Sequence, residues 1–144
     1  MSLRLDDQLC FPLYAAARAV QQRYRPLLAE LGLTYPQYLV MMVLWEDDGQ
    51  SVSALGARLM LDSGTLTPLL KRMEAAGLLD RRRSEADGRV VRAHLTEVGL
   101  ALRTRAEAVP PALVACLAPA ARDIDVPQLK RSLDELLRAL RDSP

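Results

Sequence analysis

Residues 53–96 constrain the fold more than any other part of the chain: SALGARLMLDSGTLTPLLKRMEAAGLLDRRRSEADGRVVRAHLT. They read as two short helices joined by a tight turn, then a strand, an Asp-Gly turn and a second strand. A helix pair followed by a basic hairpin places one helix in the DNA major groove and an arginine-bearing wing beside it. Nucleic acid is therefore the first partner to consider.

The 144 residues suit one domain with its own core. Half are hydrophobic and 26% are charged, which argues against disorder. Aromatic residues are only 4%, while Ala and Leu abound, so helix is favoured over sheet. No apolar run approaches the roughly 18 residues of a membrane span. The opening MSLRLDDQL has no basic flank leading into an apolar stretch, so no secretory signal is expected and the expected address is the cytoplasm.

Net charge is only +1, but its distribution is uneven. Residues 71–92 hold seven cations (Lys71, Arg72, Arg81, Arg82, Arg83, Arg89, Arg92) against four acids (Glu74, Asp80, Glu85, Asp87), a local net of +3. Clustered cations release phosphate counterions even on a near-neutral protein. The two cysteines, Cys10 and Cys116, are far apart in sequence, and the single histidine, His94, cannot complete a zinc pattern with them. The sequence implies neither a metal nor another cofactor. Each cysteine is either a small buried hydrophobe or a reactive thiol.

Asp6 and Asp7 are expected to cap a long first helix that runs to about residue 30 and ends at Gly32. Thr34 caps a second, with Pro36 in its first turn, running from 35 to about 46. This helix is apolar nearly all round, so it is central, with Trp45 in the core. A third starts at Ser53 and runs to about 60. Asp62 or Ser63 caps a fourth, which stops at Gly77. Strands are expected at 78–82 and 89–95, with Ala86-Asp87-Gly88 turning between them. Thr96 starts a fifth helix, which Pro110-Pro111 must interrupt or kink before helix resumes through Cys116. A last helix starts near Val126-Pro127.

A recognition helix turns its N-terminal residues to base edges, so those positions should be small or hydrogen-bonding. In the fourth helix they are Ser63, Gly64, Thr65, Thr67 and Pro68. Leu66, Leu69, Leu70 and Met73 form the inward stripe, and Lys71 and Arg72 lie within reach of phosphates. Arg89 is placed to enter the minor groove, with its guanidinium oriented by a bidentate pair to Asp87. His94, in the second wing strand, is structural or a phosphate contact.

These residues resemble the MarR family of winged-helix repressors. The string from 61 to 79 and the wing turn Asp87-Gly88-Arg89-Val90-Val91 match its pattern, and the helix order fits nearly the whole chain. Leu9-Cys10-Phe11-Pro12-Leu13-Tyr14-Ala15 resembles the organic-hydroperoxide-sensing, OhrR-type branch. The resemblance implies a mainly α fold with a small β-hairpin wing, a single domain over 1–144. The winged helix-turn-helix would occupy about 35–100, and dimerisation helices 1–34 and 101–144. It implies a homodimer whose wings straddle a pseudo-palindromic double-stranded DNA operator.

All four tyrosines, Tyr14, Tyr24, Tyr35 and Tyr38, follow Cys10 within residues 14–38. Tyr14 lies one helical turn beyond Cys10 on the same face. Tyr24 is too far along the helix to touch Cys10 of its own chain, but would meet the partner's if the first helices cross. The resemblance implies that Tyr24 and Tyr35 hydrogen-bond the reactive thiol; Tyr14 is the third candidate. A thiolate attacks the peroxide oxygen, and phenolic donors stabilise that anion. The two-cysteine version of the branch implies that the sulfenic acid of Cys10 condenses with Cys116 of the other subunit.

The expected function is a hydroperoxide-released repressor and not an enzyme. The alternative within the family is a repressor released by a small aromatic or phenolic ligand. A thiol peroxidase would leave the winged helix without a task. An architectural DNA protein would be indifferent to the loss of Cys10.

Overall fold

Short polar side chains set where the helices begin. The computed structural model describes residues 3–142. Thr34 accepts from the Gln37 amide while Gln37 reaches back to the Thr34 amide, a capping box that starts the helix Tyr35–Glu46. Ser51, Asp62 and Thr96 each accept from the backbone amide three residues on. The elements in chain order are α1 (Cys10–Ala29), α2 (Tyr35–Glu46), β1 (Gln50–Ser51), α3 (Val52–Leu59), α4 (Ser63–Ala75), β2 (Leu79–Arg83), β3 (Val91–Leu95), α5 (Glu97–Ala106), α6 (Val109–Leu117) and α7 (Val126–Asp142).

The helices end by backbone devices. Gly32 at φ 68° and Gly77 at φ 73° are left-handed. At each, the following residue donates back five positions: Leu33 to Leu28 and Leu78 to Met73, both at 3.0 Å. Met60 takes the same left-handed conformation at the end of α3, at φ 55°, without glycine's freedom.

The chain divides into two compact units, Met1–Pro110 and Pro111–Pro144. The core of the first is built on α2, whose Tyr38, Val40, Met41, Val43 and Leu44 are buried. Leu55 of α3 and Leu66, Leu69, Leu70 and Met73 of α4 join them. Burying side chains of this size stabilises the fold by roughly 1.5–3 kcal/mol each. The sheet is antiparallel in the order β1-β3-β2, with Leu79 opposite Leu95 and Arg83 opposite Val91. In the second unit, α7 leaves Leu129, Leu137 and Leu140 exposed.

The mainly α fold with a small wing matches the sequence reading, with three differences. Asp6 and Asp7 do not cap α1: they lie in a separate 3-10 turn, Leu5–Asp7, and α1 starts at Cys10 after an uncapped Leu9. Helix α3 starts at Val52, because Ser51 rather than Ser53 has the extended backbone of a cap. The wing sheet has a third strand, β1, and β3 starts at Val91, so Arg89 lies in the loop. Pro110-Pro111 interrupts the helix as expected: α5 ends at Ala106, Glu107 and Ala108 separate it from α6, and both prolines sit in the first turn of α6, where a missing amide donor costs nothing, before helix continues through Cys116. Among the described residues, no helix is long and apolar enough to cross a membrane.

Candidate nucleic-acid interface and thiol site

Helix α4 presents two chemically distinct faces. Leu66, Leu69, Leu70 and Met73 point inward; Ser63, Gly64, Thr65, Pro68, Lys71 and Arg72 are exposed and Thr67 is half-buried. The expected reading residues therefore share one outward face, with Asp62 capping the helix at its start. Pro68 has no amide to offer the Gly64 carbonyl one turn back. Helix α3 holds α4 from behind: Gly56 leaves so little room that a side chain there would meet the Leu61 carbonyl at 2.8 Å.

The wing loop is longer than a two-residue Asp-Gly turn. Ser84 donates to the Val90 carbonyl at 2.7 Å and Arg83 clips the loop by donating to the Gly88 carbonyl at 2.8 Å. Asp87 accepts the Arg89 backbone amide at 3.1 Å, while its side-chain contact with the Arg89 Nε is 3.4 Å. The expected bidentate pair is thus absent: the carboxylate shapes the turn through the backbone and leaves the Arg89 side chain 95% exposed. His94 packs against Gly49, and Arg92 donates to the Gly49 carbonyl at 3.0 Å, so both brace the loop before β1. A cleft of about 380 Å³ lies between α4 and the wing, lined by Ser51, Ser53, Thr67, Arg81, Arg89 and Val91 among others.

Sequence reasoning missed several members of this region. Ser51 and β1 escaped because a two-residue strand has no periodicity. Arg81 is one of the seven cations of residues 71–92, yet Glu74 holds it at 2.8 Å. Only folding brings those two together.

The thiol region is organised along α1 and α2. Cys10 is the first residue of α1, and both Cys10 and Cys116 are free and exposed. Neither is a buried hydrophobe in the single chain. Phe11, Leu13 and Tyr14 beside Cys10 are exposed too. Tyr14 lies one turn on, and its hydroxyl accepts from Arg18 at 3.3 Å while the guanidinium sits over its ring.

Tyr24 and Tyr35 stand together, ring centroids 4.9 Å apart, with Tyr38 at 5.9 Å from Tyr24. Burial, more than the neighbouring phenols, raises the pKa of Tyr24; burial raises those of Tyr35 and Tyr38. All three keep their protons and stay hydrogen-bond donors at neutral pH. Fourteen residues of helix put about 21 Å of rise between Cys10 and Tyr24 of one chain. Next to the pair, Arg18, Gln21, Gln22, Arg25 and Tyr35 line a cavity of about 400 Å³ between α1 and α2. No cluster of potential metal ligands occurs among the described residues.

The profile of the family "Transcriptional regulator SarA/Rot" matches residues 22–103. The organic hydroperoxide resistance transcriptional regulator of Bacillus subtilis is 46% identical over 96% of this chain and 92% of its own. Reduced AbfR bound to DNA, from Staphylococcus epidermidis, is 38% identical over 96% of this chain and 94% of that one, with a TM-score of 0.79. Disulfide-formed AbfR is 37% identical over 97% and 94%, with a TM-score of 0.66. The chain belongs to the MarR/SarA-type winged-helix transcriptional regulators, in the branch of the organic hydroperoxide regulators.

Proposed function

We propose that the protein is a repressor that a thiol switch releases from DNA. The observation that carries the reading is the match over nearly its whole length to AbfR, a protein solved both reduced on DNA and in a disulfide form. In the resting state a homodimer, joined through its terminal helices, binds a pseudo-palindromic operator in the cytoplasm. The exposed apolar residues of α1 and α7 supply surface for that association. Ser63, Gly64, Thr65, Thr67 and Pro68 read base edges, Lys71 and Arg72 hold phosphates, and Arg89, shaped by the Asp87 turn, enters the minor groove.

The signal is an organic hydroperoxide. The Cys10 thiolate attacks the outer peroxide oxygen; the O–O bond breaks, an alkoxide leaves and takes up a proton, and Cys10 becomes a sulfenic acid. Tyr24 and Tyr35 stabilise the thiolate of the partner's Cys10, and Tyr14 flanks the thiol on its own helix. The thiol of Cys116 of the other subunit then displaces water from the sulfenic sulfur and closes a disulfide. No turnover follows until a reductant restores both thiols.

A gel-shift with the protein's own upstream region, before and after cumene hydroperoxide, tests this. Loss of binding on oxidation and recovery with dithiothreitol support it; binding indifferent to peroxide removes it. The cavity beside Tyr35 favours a second reading, in which a small aromatic or phenolic ligand releases the DNA. Its size lies within the ordinary range for small-molecule pockets, and Arg18 and Arg25 suit an acidic substituent. Release by such a compound without oxidant would support that reading instead.

A further inference from the structure

The ion pair between Glu74 and Arg81 is the most sheltered of the five among the described residues, with side chains 34% and 24% exposed. Glu74 lies in the last turn of α4, and Arg81 is the middle residue of β2. The carboxylate meets Arg81 three times. Oε1 accepts the backbone amide at 2.8 Å, and Oε2 accepts from Nε at 3.1 Å and Nη2 at 2.8 Å.

The backbone contact follows from topology. Strand β2 is at the sheet edge, paired only with β3, so its outward amides need partners from elsewhere. The carboxylate fills that place and binds the guanidinium of the same residue. Between the two runs the Gly77 turn, whose glycine has no neighbour within 4 Å where a side chain would be. Backbone bonds at Gly77 and Leu78, and the Thr96 hydroxyl on the Gly77 carbonyl at 2.6 Å, are the other ties at this corner. Arg81 also faces the cleft that has Thr67 of α4 on one side and Arg89 of the wing on the other.

We propose that Glu74 and Arg81 are positioning residues for DNA recognition: their bridge sets the wing against the reading helix, and Arg81 makes no phosphate contact although it belongs to the basic cluster. This rests on the DNA-binding reading above. It reverses the expectation for Glu74. An acid that merely sat near DNA would repel it, so its removal would tighten binding. An acid that aligns two DNA-contacting elements weakens binding when lost.

The test is a fluorescence anisotropy titration of an operator duplex over a series of salt concentrations, with the full chain and each variant. Glu74→Ala and Arg81→Ala should each weaken binding roughly tenfold, and the double variant no more than either alone, as for one coupled unit. Arg81→Ala should leave the dependence of log affinity on log salt unchanged. Arg89→Ala should lower that slope by about 0.9 for each phosphate released. Glu74→Gln keeps an oxygen for the Arg81 amide and should recover part of the affinity. If the alanine variants fail to fold by circular dichroism, Glu74→Gln and Arg81→Lys carry the same comparison. Binding by the Glu74 variants as tight as wild type or tighter, or a reduced salt slope for the Arg81 variants, overturns the proposal alone. Wild type that does not bind the duplex overturns the DNA-binding reading and this one with it.

Discussion

The indole nitrogen of Trp45 donates to the carbonyl oxygen of Gly99 at 2.9 Å, joining α2 to the first turn of α5 across 54 positions of sequence. Gly99 is where α5 lies against the entry to β2: a side-chain carbon there would stand 2.0 Å from the Leu78 carbonyl oxygen. Trp45→Phe keeps an aromatic ring but removes the donor and the five-membered part of the indole, so it should cost about 1 kcal/mol for the hydrogen bond, with lost packing in addition. Gly99→Ala must push backbone aside and should cost about 3 kcal/mol. Urea unfolding measures both, and equal small losses would mean that the close approach constrains nothing.

Arg89 has little to lose in stability, because its side chain is almost fully exposed and its contact with Asp87 is of a kind worth little. Arg89→Ala should therefore leave the thermal midpoint within about 1 °C, while a minor-groove arginine commonly contributes a large share of binding. We expect a fall in operator affinity of about tenfold or more, read by gel-shift. Unchanged affinity would take the wing tip out of the interface.

The two cysteines should separate cleanly. Cys10→Ser should bind the operator like wild type and stay bound after cumene hydroperoxide. Cys116→Ser should still form a sulfenic acid, trapped by dimedone, yet give no covalent dimer on non-reducing electrophoresis. Release of oxidised Cys10→Ser from DNA would place the sensing chemistry elsewhere.

The buried tyrosines give a pH dependence with a definite sign. Tyr24, Tyr35 and Tyr38 have pKa values above the ordinary 10.0, chiefly from burial. Below that pH both folded and unfolded chains keep the protons, and these groups leave stability unchanged. Above it the unfolded chain ionises first, so stability falls as pH rises. Chemical unfolding on the alkaline side should show this loss, and Tyr24→Phe with Tyr35→Phe should reduce it. An identical alkaline loss in the double variant would mean other groups cause it.

Local chemistry made much of the fold legible. Thr34, Asp62 and Thr96 announce helix starts, and Gly32 and Gly77 announce ends, because each acts through neighbours within five residues. The apolar stripe of α4 separated its inward residues from its outward face without tertiary information. Non-local pairings were hidden. Gln50 and Ser51 form a strand only because Ala93 and Arg92 arrive opposite them. Arg81 looked like one more cation until the Gly77 turn brought Glu74 beside it. Met60 gave no sign of a left-handed residue, since its conformation is imposed by the α3–α4 corner and not by its side chain. Asp6 and Asp7 misled because acids near a helix start favour a cap, yet the chain there closes its own short turn.

Trp45 is the chain's single tryptophan. Its ring lies 6.4 Å from that of Tyr38, which adjoins the Tyr24 ring, and Tyr24 in turn adjoins Tyr35. Light absorbed by any of these phenols passes readily to the indole at such spacing, so emission from the whole row is gathered at one fluorophore. That fluorophore hangs on a carbonyl of α5 at the root of the wing. The protein therefore carries its own optical gauge, with one end at the tyrosines and its readout beside the DNA-binding region, and needs no attached dye to report a change at either place.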